Sequence, residues 1–218
     1  MVAVCLCAPF DEGLDVSTEY AVFGEAELDR LIGMSDVEGQ RLSAGGLFAL
    51  RCLAKKYLSD SKDLTIVRAR GEKPRFCRGD IGDFNISHSH RLSVAALLLG
   101  GRGKVGIDIE IIANKSNFKK LSERFFSNAE REYLNAHSYS MRSFFEIWTA
   151  KEALVKLKGG GLSDLTNSDT LSKELSELCF TRFSVKYYGV EYIMTVCAEA
   201  DEKIEVICKC EEIEINEI

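Results

Sequence analysis

Three segments carry side chains whose types and spacing could do chemistry. The first is Val105-Gly106-Ile107-Asp108-Ile109-Glu110-Ile111. On a strand, successive side chains alternate faces, so Ile107, Ile109 and Ile111 point one way while Asp108 and Glu110 point the other, about 7 Å apart. Two carboxylates at that distance repel by roughly 2 kcal/mol at an effective dielectric of about 20. A hard cation between them would turn repulsion into coordination, and magnesium takes one or two carboxylates together with the phosphate oxygens of a substrate. A half-buried strand with a wet acidic face fits the same residues, and the segment alone leaves both readings open.

The second segment is Phe144-Phe145-Glu146-Ile147-Trp148-Thr149-Ala150-Lys151-Glu152-Ala153-Leu154-Val155-Lys156. At about 100° per residue, Ile147, Phe144, Val155, Trp148 and Phe145 fill one arc. Lys151 and Glu152 fall inside it and Lys156 lies at its edge. A core-facing stripe should be clear of charge, and a buried charge is costly unless paired or bound to metal. A Glu152–Lys156 ion pair one helical turn apart accounts for the pairing but not for its place among aromatics. The third segment, Phe84-Asn85-Ile86-Ser87-His88-Ser89-His90, sets a hydroxyl beside imidazoles. Such a set can bind phosphate or form a nucleophile–base pair, and a polar turn between strands fits equally. Further cations stand in Gly71-Glu72-Lys73-Pro74-Arg75 and at Arg41, Arg51, Lys55 and Lys56, where each suits a phosphate or a solvated surface.

The elements that must position these residues follow from periodicity and punctuation. Strands are expected at Val2–Ala8, Leu64–Arg70, Phe84–Ser87, Leu92–Leu99 and Val105–Ile112, with His88-Ser89-His90 between the third and fourth. Helices are expected at Glu25–Ile32 and Val37–Tyr57, the latter with Leu42, Leu47, Leu50, Leu53 and Ala54 on its apolar side. Helical patterning recurs at Leu121–Phe126, Ala129–Asn135 and Met141–Lys158, where Gly159-Gly160-Gly161 stops the helix. Strands at Phe180–Tyr188, Tyr192–Ala198 and Lys203–Ile207 follow. Gly100-Gly101-Arg102-Gly103 is the strongest break and divides the chain into residues 1–103 and 104–218. Each part carries strands and one long helix, so the expected class is α+β with a duplicated unit, although no residue-level repeat is visible.

The chain has 218 residues, 46% hydrophobic and 28% charged, enough for a substantial core. A formal net charge of -6 offers no global field for nucleic acid. Apolar runs such as Val94–Leu99 are too short to span a bilayer, and the N-terminus lacks the basic start of a secretory signal. A cytoplasmic protein without membrane or nucleic-acid partners is expected. Eight cysteines form no CxxC pair, which argues against zinc and for reduced, buried thiols.

Taken in order, Lys73-Pro74, Asn85-Ile86-Ser87-His88-Ser89, Gly106-Ile107-Asp108-Ile109-Glu110, Arg124-Phe125-Phe126-Ser127 through Glu130, and Trp148 through Lys151-Glu152-Ala153 to Lys156 resemble the 4′-phosphopantetheinyl transferases, and most closely the surfactin-synthetase-activating (Sfp-like) type. The resemblance covers roughly residues 40–165 and rests on five ordered blocks, of which the W-x-x-K-E-A-x-x-K helix is the most specific. It implies a monomer of two similar α+β halves related by pseudo-twofold symmetry, with the active site in the cleft between them. It implies transfer of the 4′-phosphopantetheine group from coenzyme A, as co-substrate, to a serine of an acyl or peptidyl carrier protein, which is holo-[acyl-carrier-protein] synthase activity. The residues matching the family's magnesium ligands are Asp108, Glu110 and Glu152. Those matching its phosphate contacts are Lys73, Ser87, His88 and Lys156, and Arg41 matches a contact to the adenosine 3′-phosphate. Glu152 is the first candidate for the base, Lys156 the second, with Glu130 assisting. Arg124, Arg131 and Lys119-Lys120 are available to steer the carrier. The segment Gly33–Gln40 departs from the pattern, being acidic where lysines that assist the 3′-phosphate are expected. Two rival readings are a magnesium-dependent phosphohydrolase acting on a small phosphoester and a non-catalytic coenzyme A- or carrier-binding module.

Overall fold

The computed structural model describes residues 1–218 except 12, 15–17, 59–62, 70, 101–102, 114–116, 173–174 and 200–202. Gly101 and Arg102 of the expected break, and Arg70 at the end of an expected strand, lie outside the described residues. In chain order the first elements are β1 (Val2–Cys7), α1 (Glu25–Ile32), α2 (Val37–Tyr57), β2 (Ile66–Val67), β3 (Arg75–Phe76), β4 (Gly82–Ser89) and β5 (Leu92–Leu99). They are followed by β6 (Val105–Ile111), α3 (Phe118–Phe125), α4 (Asn128–Ala136), α5 (Met141–Lys158), β7 (Leu178–Tyr187), β8 (Val190–Glu199), β9 (Ile204–Cys208) and β10 (Ile213–Glu217). The class is mixed α+β. Among the described residues, no helix is long and apolar enough to cross a membrane.

Alternation along the strands builds four layers. In the sheet ordered β4-β5-β1-β9, Ala3, Cys5, Ala95 and Leu97 face α2, which meets them with Leu47, Leu50 and Leu53. The opposite face, with Val4, Leu6, Val94 and Ala96, packs on the sheet ordered β10-β7-β8-β6 through Ile107, Ile109, Val185, Met194 and Val196. The outer face of this second sheet carries α5, seated by Ala153 and Leu154 over Cys197. The order is therefore helix, sheet, sheet, helix. β9 follows the second sheet's β8 in sequence, yet pairs in parallel with β1 of the first.

Both long helices begin and end where local chemistry dictates. Asp36 caps α2 by accepting from Glu38 N, and Ser140 caps α5 by accepting from Ser143 N. Gly159 ends α5 in the left-handed region at φ 77°. The strand expected at Leu64–Arg70 is only two residues long, because Arg68 turns away to pair with the buried Glu27. The strand expected to stop at Ser87 continues through His88 and Ser89, whose hydroxyl is bonded to β6. The hairpin turn is thus His90-Arg91, with His90 at φ 54°. β10 has no counterpart among the expected strands.

The two sheets meet at a seam. Odd-numbered residues of β6 direct their backbone N–H groups away from β8, toward β4, and among the described residues no strand pairs with that edge. Side chains of β4 take the place of a strand. Val105 N donates to Asp83 Oδ2 at 2.8 Å, Ile107 N to Asn85 Oδ1 at 3.0 Å and Ile111 N to Ser89 Oγ at 3.0 Å. Each rung joins residues 22 apart, so one register runs along the seam. A fully buried Leu, Ile or Val contributes about 1.5–3 kcal/mol, whereas one such hydrogen bond nets about 1 kcal/mol. The apolar layer between the sheets therefore supplies the stability, and the seam sets how they align.

α5 lies on β6 at Gly106, where a Cβ would stand 1.9 Å from the Ala153 carbonyl oxygen and 2.8 Å from Leu157 N. Nothing in that contact is flexible, since both neighbours are helix backbone. Gly106→Ala is expected to cost about 3 kcal/mol as helix and strand separate, which lowers the melting temperature by about 6–12 °C in a chain of this size. An unchanged melting temperature by calorimetry would contradict this seating of α5.

Candidate active site

The seam has one exception to its register, and chemistry collects there. Ser87 occupies the place in β4 that corresponds to Ile109, yet its hydroxyl donates to Asp108 Oδ1 at 2.8 Å. It also accepts from Lys156 Nζ at 2.9 Å, and the same ammonium reaches Asp108 Oδ1 at 2.6 Å. Three elements therefore meet at one carboxylate: β4 brings Ser87, β6 brings Asp108 and α5 brings Lys156. The other oxygen, Asp108 Oδ2, is buried with no hydrogen-bond partner among the described residues. Asp108 is only 4% exposed, and a buried carboxylate oxygen left bare is costly.

Glu110, on the same face of β6, accepts from Ser89 Oγ at 3.0 Å. Glu152 is half-buried one helical turn before Lys156, on the helix that packs against β6. Among the described residues, no three His, Cys, Asp or Glu side chains stand close enough to enclose a metal ion. Asp108, Glu110 and Glu152 thus sit on elements in contact without closing into a ligand set. The fit to a cation is carried by Asp108: its Oδ2 lacks a partner while its Oδ1 is already neutralised by Lys156.

His88 points to the other face of β4, at the mouth of a cleft of about 290 Å³ that also involves Ser43, Pro74, Ile86, Arg30 and Arg68. Desolvation by the surrounding protein, and next the Lys156 ammonium, push its imidazole below the usual range, against the opposing pull of Asp108. Arg30 and Arg68 share the buried Glu27, at 2.8 Å and 2.6 Å, which leaves the cleft wall cationic by one charge. Burial tends to raise the Glu27 carboxyl, but the two guanidiniums prevail and hold it below its usual range. Arg41 stacks over Phe10 with its guanidinium carbon 5.5 Å from the ring centroid. A larger cleft, about 960 Å³, lies between the end of α5 and the start of β7 and contains none of the expected site residues.

Two expected site residues stand apart from Ser87 and Lys156. Lys73 does not join Ser87 and Lys156. Its ammonium donates to Asp83 and, at 2.6 Å, to the Val105 carbonyl, closing the far end of the seam. Val105 and Asp108 are about 10 Å apart along the strand. Burial lowers the Lys73 ammonium from its ordinary value despite Asp83, and a desolvated cation favours the carboxylate already beside it. Glu130, expected to assist the base, is fully buried with every acceptor position engaged. Its Oε2 accepts from Ser127 N and Lys151 Nζ, both at 2.8 Å, and its Oε1 from Thr170 N at 2.9 Å and Thr170 Oγ1 at 2.8 Å. It is an anchor between α4, α5 and the chain that follows α5, and it accounts for the charge of Lys151 inside the apolar arc. The residues missed from sequence are Asp83, Asn85 and Ser89. Their signal was the period of two in Asp83-Phe84-Asn85-Ile86-Ser87-His88-Ser89, which makes one face wholly polar.

Comparison with known proteins places this geometry in context. A family model described as the 4′-phosphopantetheinyl transferase superfamily matches residues 104–206. The chain is 30% identical over 178 residues to the 4′-phosphopantetheinyl transferase Sfp of Bacillus subtilis, covering 74% of this chain and 75% of that protein. It is 39% identical over 107 residues to the 4′-phosphopantetheinyl transferase AcpT of Salmonella typhi, 48% of this chain and 55% of that one. With HetI of Nostoc, also a 4′-phosphopantetheinyl transferase, identity is 36% over 84 residues, 38% of this chain and 35% of that protein. The matched part of the chain spans about half the length of AcpT.

Replacing one partner of a fully buried ion pair costs about 3–5 kcal/mol. Glu130→Gln is therefore expected to lower the melting temperature by about 6–20 °C while the folded fraction keeps its activity. Lost activity at an unchanged melting temperature would instead make Glu130 a participant in the reaction.

Proposed function

We infer that this chain, which belongs to the 4′-phosphopantetheinyl transferase superfamily, moves the 4′-phosphopantetheine group of coenzyme A onto a serine of an acyl or peptidyl carrier protein and releases 3′,5′-ADP. The observation that carries the reading is the bare, buried Asp108 Oδ2 beside an ammonium and a hydroxyl that can both donate to phosphate.

In this reading Asp108, Glu110 and Glu152 would hold a divalent cation, magnesium, whose positive charge would offset that of the diphosphate and favour in-line displacement. Ser87 and His88 stand on opposite faces of one strand and hold phosphate oxygens on either side of it. Lys156, part-exposed on a flexible stem, turns from Asp108 to the phosphate and stabilises charge on the leaving 3′,5′-ADP. Its ammonium is a donor to both Asp108 and Ser87, which suits a stabiliser better than a base. Glu152 accepts the proton of the carrier serine as its oxygen bonds to the β-phosphorus and the bond to the departing phosphate oxygen breaks. Arg41 and the cleft beside His88 receive the nucleotide end, and Lys73 orders the turn that presents Pro74 to that cleft. Arg124, Lys119 and Lys120 lie exposed on α3, directly after the strand that carries Asp108, where they would steer the carrier.

We read residues 1–103 and 104–218 as two halves related by a pseudo-twofold axis. The support is topological: β1, α2, β4 and β5 recur as β6, α5, β7 and β8, with strand orders β4-β5-β1 and β7-β8-β6. One chain provides both sides of the site, which suits a monomer acting in the cytoplasm.

Asp108→Ala should reduce transfer by about 100- to 1000-fold while leaving the melting temperature within a few degrees of the parent. The measurement is the mass gained by an apo-carrier protein incubated with coenzyme A and magnesium. Undiminished transfer by the variant would overturn the reading.

A further inference from the structure

The ring of Phe10 carries two guanidiniums. Arg41, from the first turns of α2, and Arg91, from the β4–β5 hairpin turn, each have the guanidinium carbon 5.5 Å from the ring centroid. Such a cation–π contact helps to hold each guanidinium in place. The two arginines differ in their partners. Arg91 is paired with Asp11, which also accepts from the Tyr187 hydroxyl. Among the described residues no carboxylate pairs with Arg41, and its buried Nε has no hydrogen-bond partner there. Among the described residues, one guanidinium on this ring is therefore balanced by a carboxylate and the other is not.

Both arginines stand close in sequence to residues that line the cleft beside His88. Ser43, two residues after Arg41, lines the cleft, as does His88, three residues before Arg91. The segment Gly33–Gln40, which precedes Arg41, contains no lysine. A doubly charged phosphomonoester reaching this corner would find in Arg41 and Arg91 two stacked guanidiniums able to bind it bidentately.

Resting on the coenzyme A reading above, we propose that Arg91 is a specificity-determining residue for the 3′-phosphate: with Arg41 it forms a two-arginine clamp spaced by the ring of Phe10, in place of the lysines absent from Gly33–Gln40. Asp11 is the internal anion that pairs Arg91 when the clamp is empty, and Tyr187 holds Asp11 in position as the phosphate arrives. Arg91 binds and selects, and takes no part in the transfer step.

The test is titration calorimetry of coenzyme A and of 3′-dephospho-coenzyme A into the parent protein and into Arg91→Gln, with magnesium present. A charge-assisted contact of this kind is worth tenfold or more. Arg91→Gln should therefore weaken coenzyme A binding by about tenfold while leaving 3′-dephospho-coenzyme A within about twofold of the parent. The second ligand controls within the same variant for any loss of fold. Equal weakening of both ligands would overturn the proposal, since Arg91 would then support the corner without reading the phosphate. Unchanged binding of both would remove it from the site. Failure of the parent protein to bind either ligand would instead overturn the coenzyme A reading on which the proposal rests.

Discussion

An outward-facing row of backbone N–H groups on β6 is the constraint from which the rest follows. A strand edge buried between two sheets cannot leave its donors bare, and among the described residues no strand pairs with that edge. Asp83, Asn85 and Ser89 satisfy it instead, each from the polar face of β4. Backbone pairing would have merged the two sheets into one continuous surface. Side-chain pairing holds them a side chain's length apart and leaves the intervening space to polar groups. Ser87 belongs to the same series but bonds to a side chain, and at that point the space becomes a site.

Charge is handled in two opposite ways on one helix. Lys151 is sealed against Glu130, with neither side chain exposed, and backbone and hydroxyl donors complete the carboxylate. Lys156, on the face of α5 toward β6, also meets a carboxylate but satisfies only one of its oxygens and stays part-exposed. The first pair has every bond made, and moving it would uncover a buried charge. The second is incomplete, with one carboxylate oxygen unpartnered among the described residues. The same motif residues thus divide into an anchor and a working group. The anchor fixes α5 in the position that lets the working group reach Asp108.

Much of this was legible in the sequence, for local reasons. Val37–Tyr57 and Met141–Lys158 have caps, a glycine stop and helical periodicity, and both helices form over those residues. The alternation in Val105–Ile111 placed Asp108 opposite Ile107 and Ile109, as the buried layers require. What was not legible depends on partners distant in the chain. The contacts of Lys73 with Asp83 and the Val105 carbonyl reach 10 and 32 residues along the chain. The setting of Glu130 was hidden too, because a carboxylate in a motif carries no sign of the four donors that surround it. β9 pairs with β1 across nearly the whole chain length, and no local pattern could announce that.

The central claim is that Asp108 Oδ2 is left bare to receive a cation shared with a diphosphate. The most direct measurement is an anomalous-scattering crystal structure of the protein with manganese and coenzyme A. A manganese peak within bonding distance of Asp108 Oδ2, with diphosphate oxygens on its far side and Lys156 withdrawn from Asp108, is the result predicted. A cation bound elsewhere, with Lys156 still bonded to Asp108 and coenzyme A in another cleft, would contradict it.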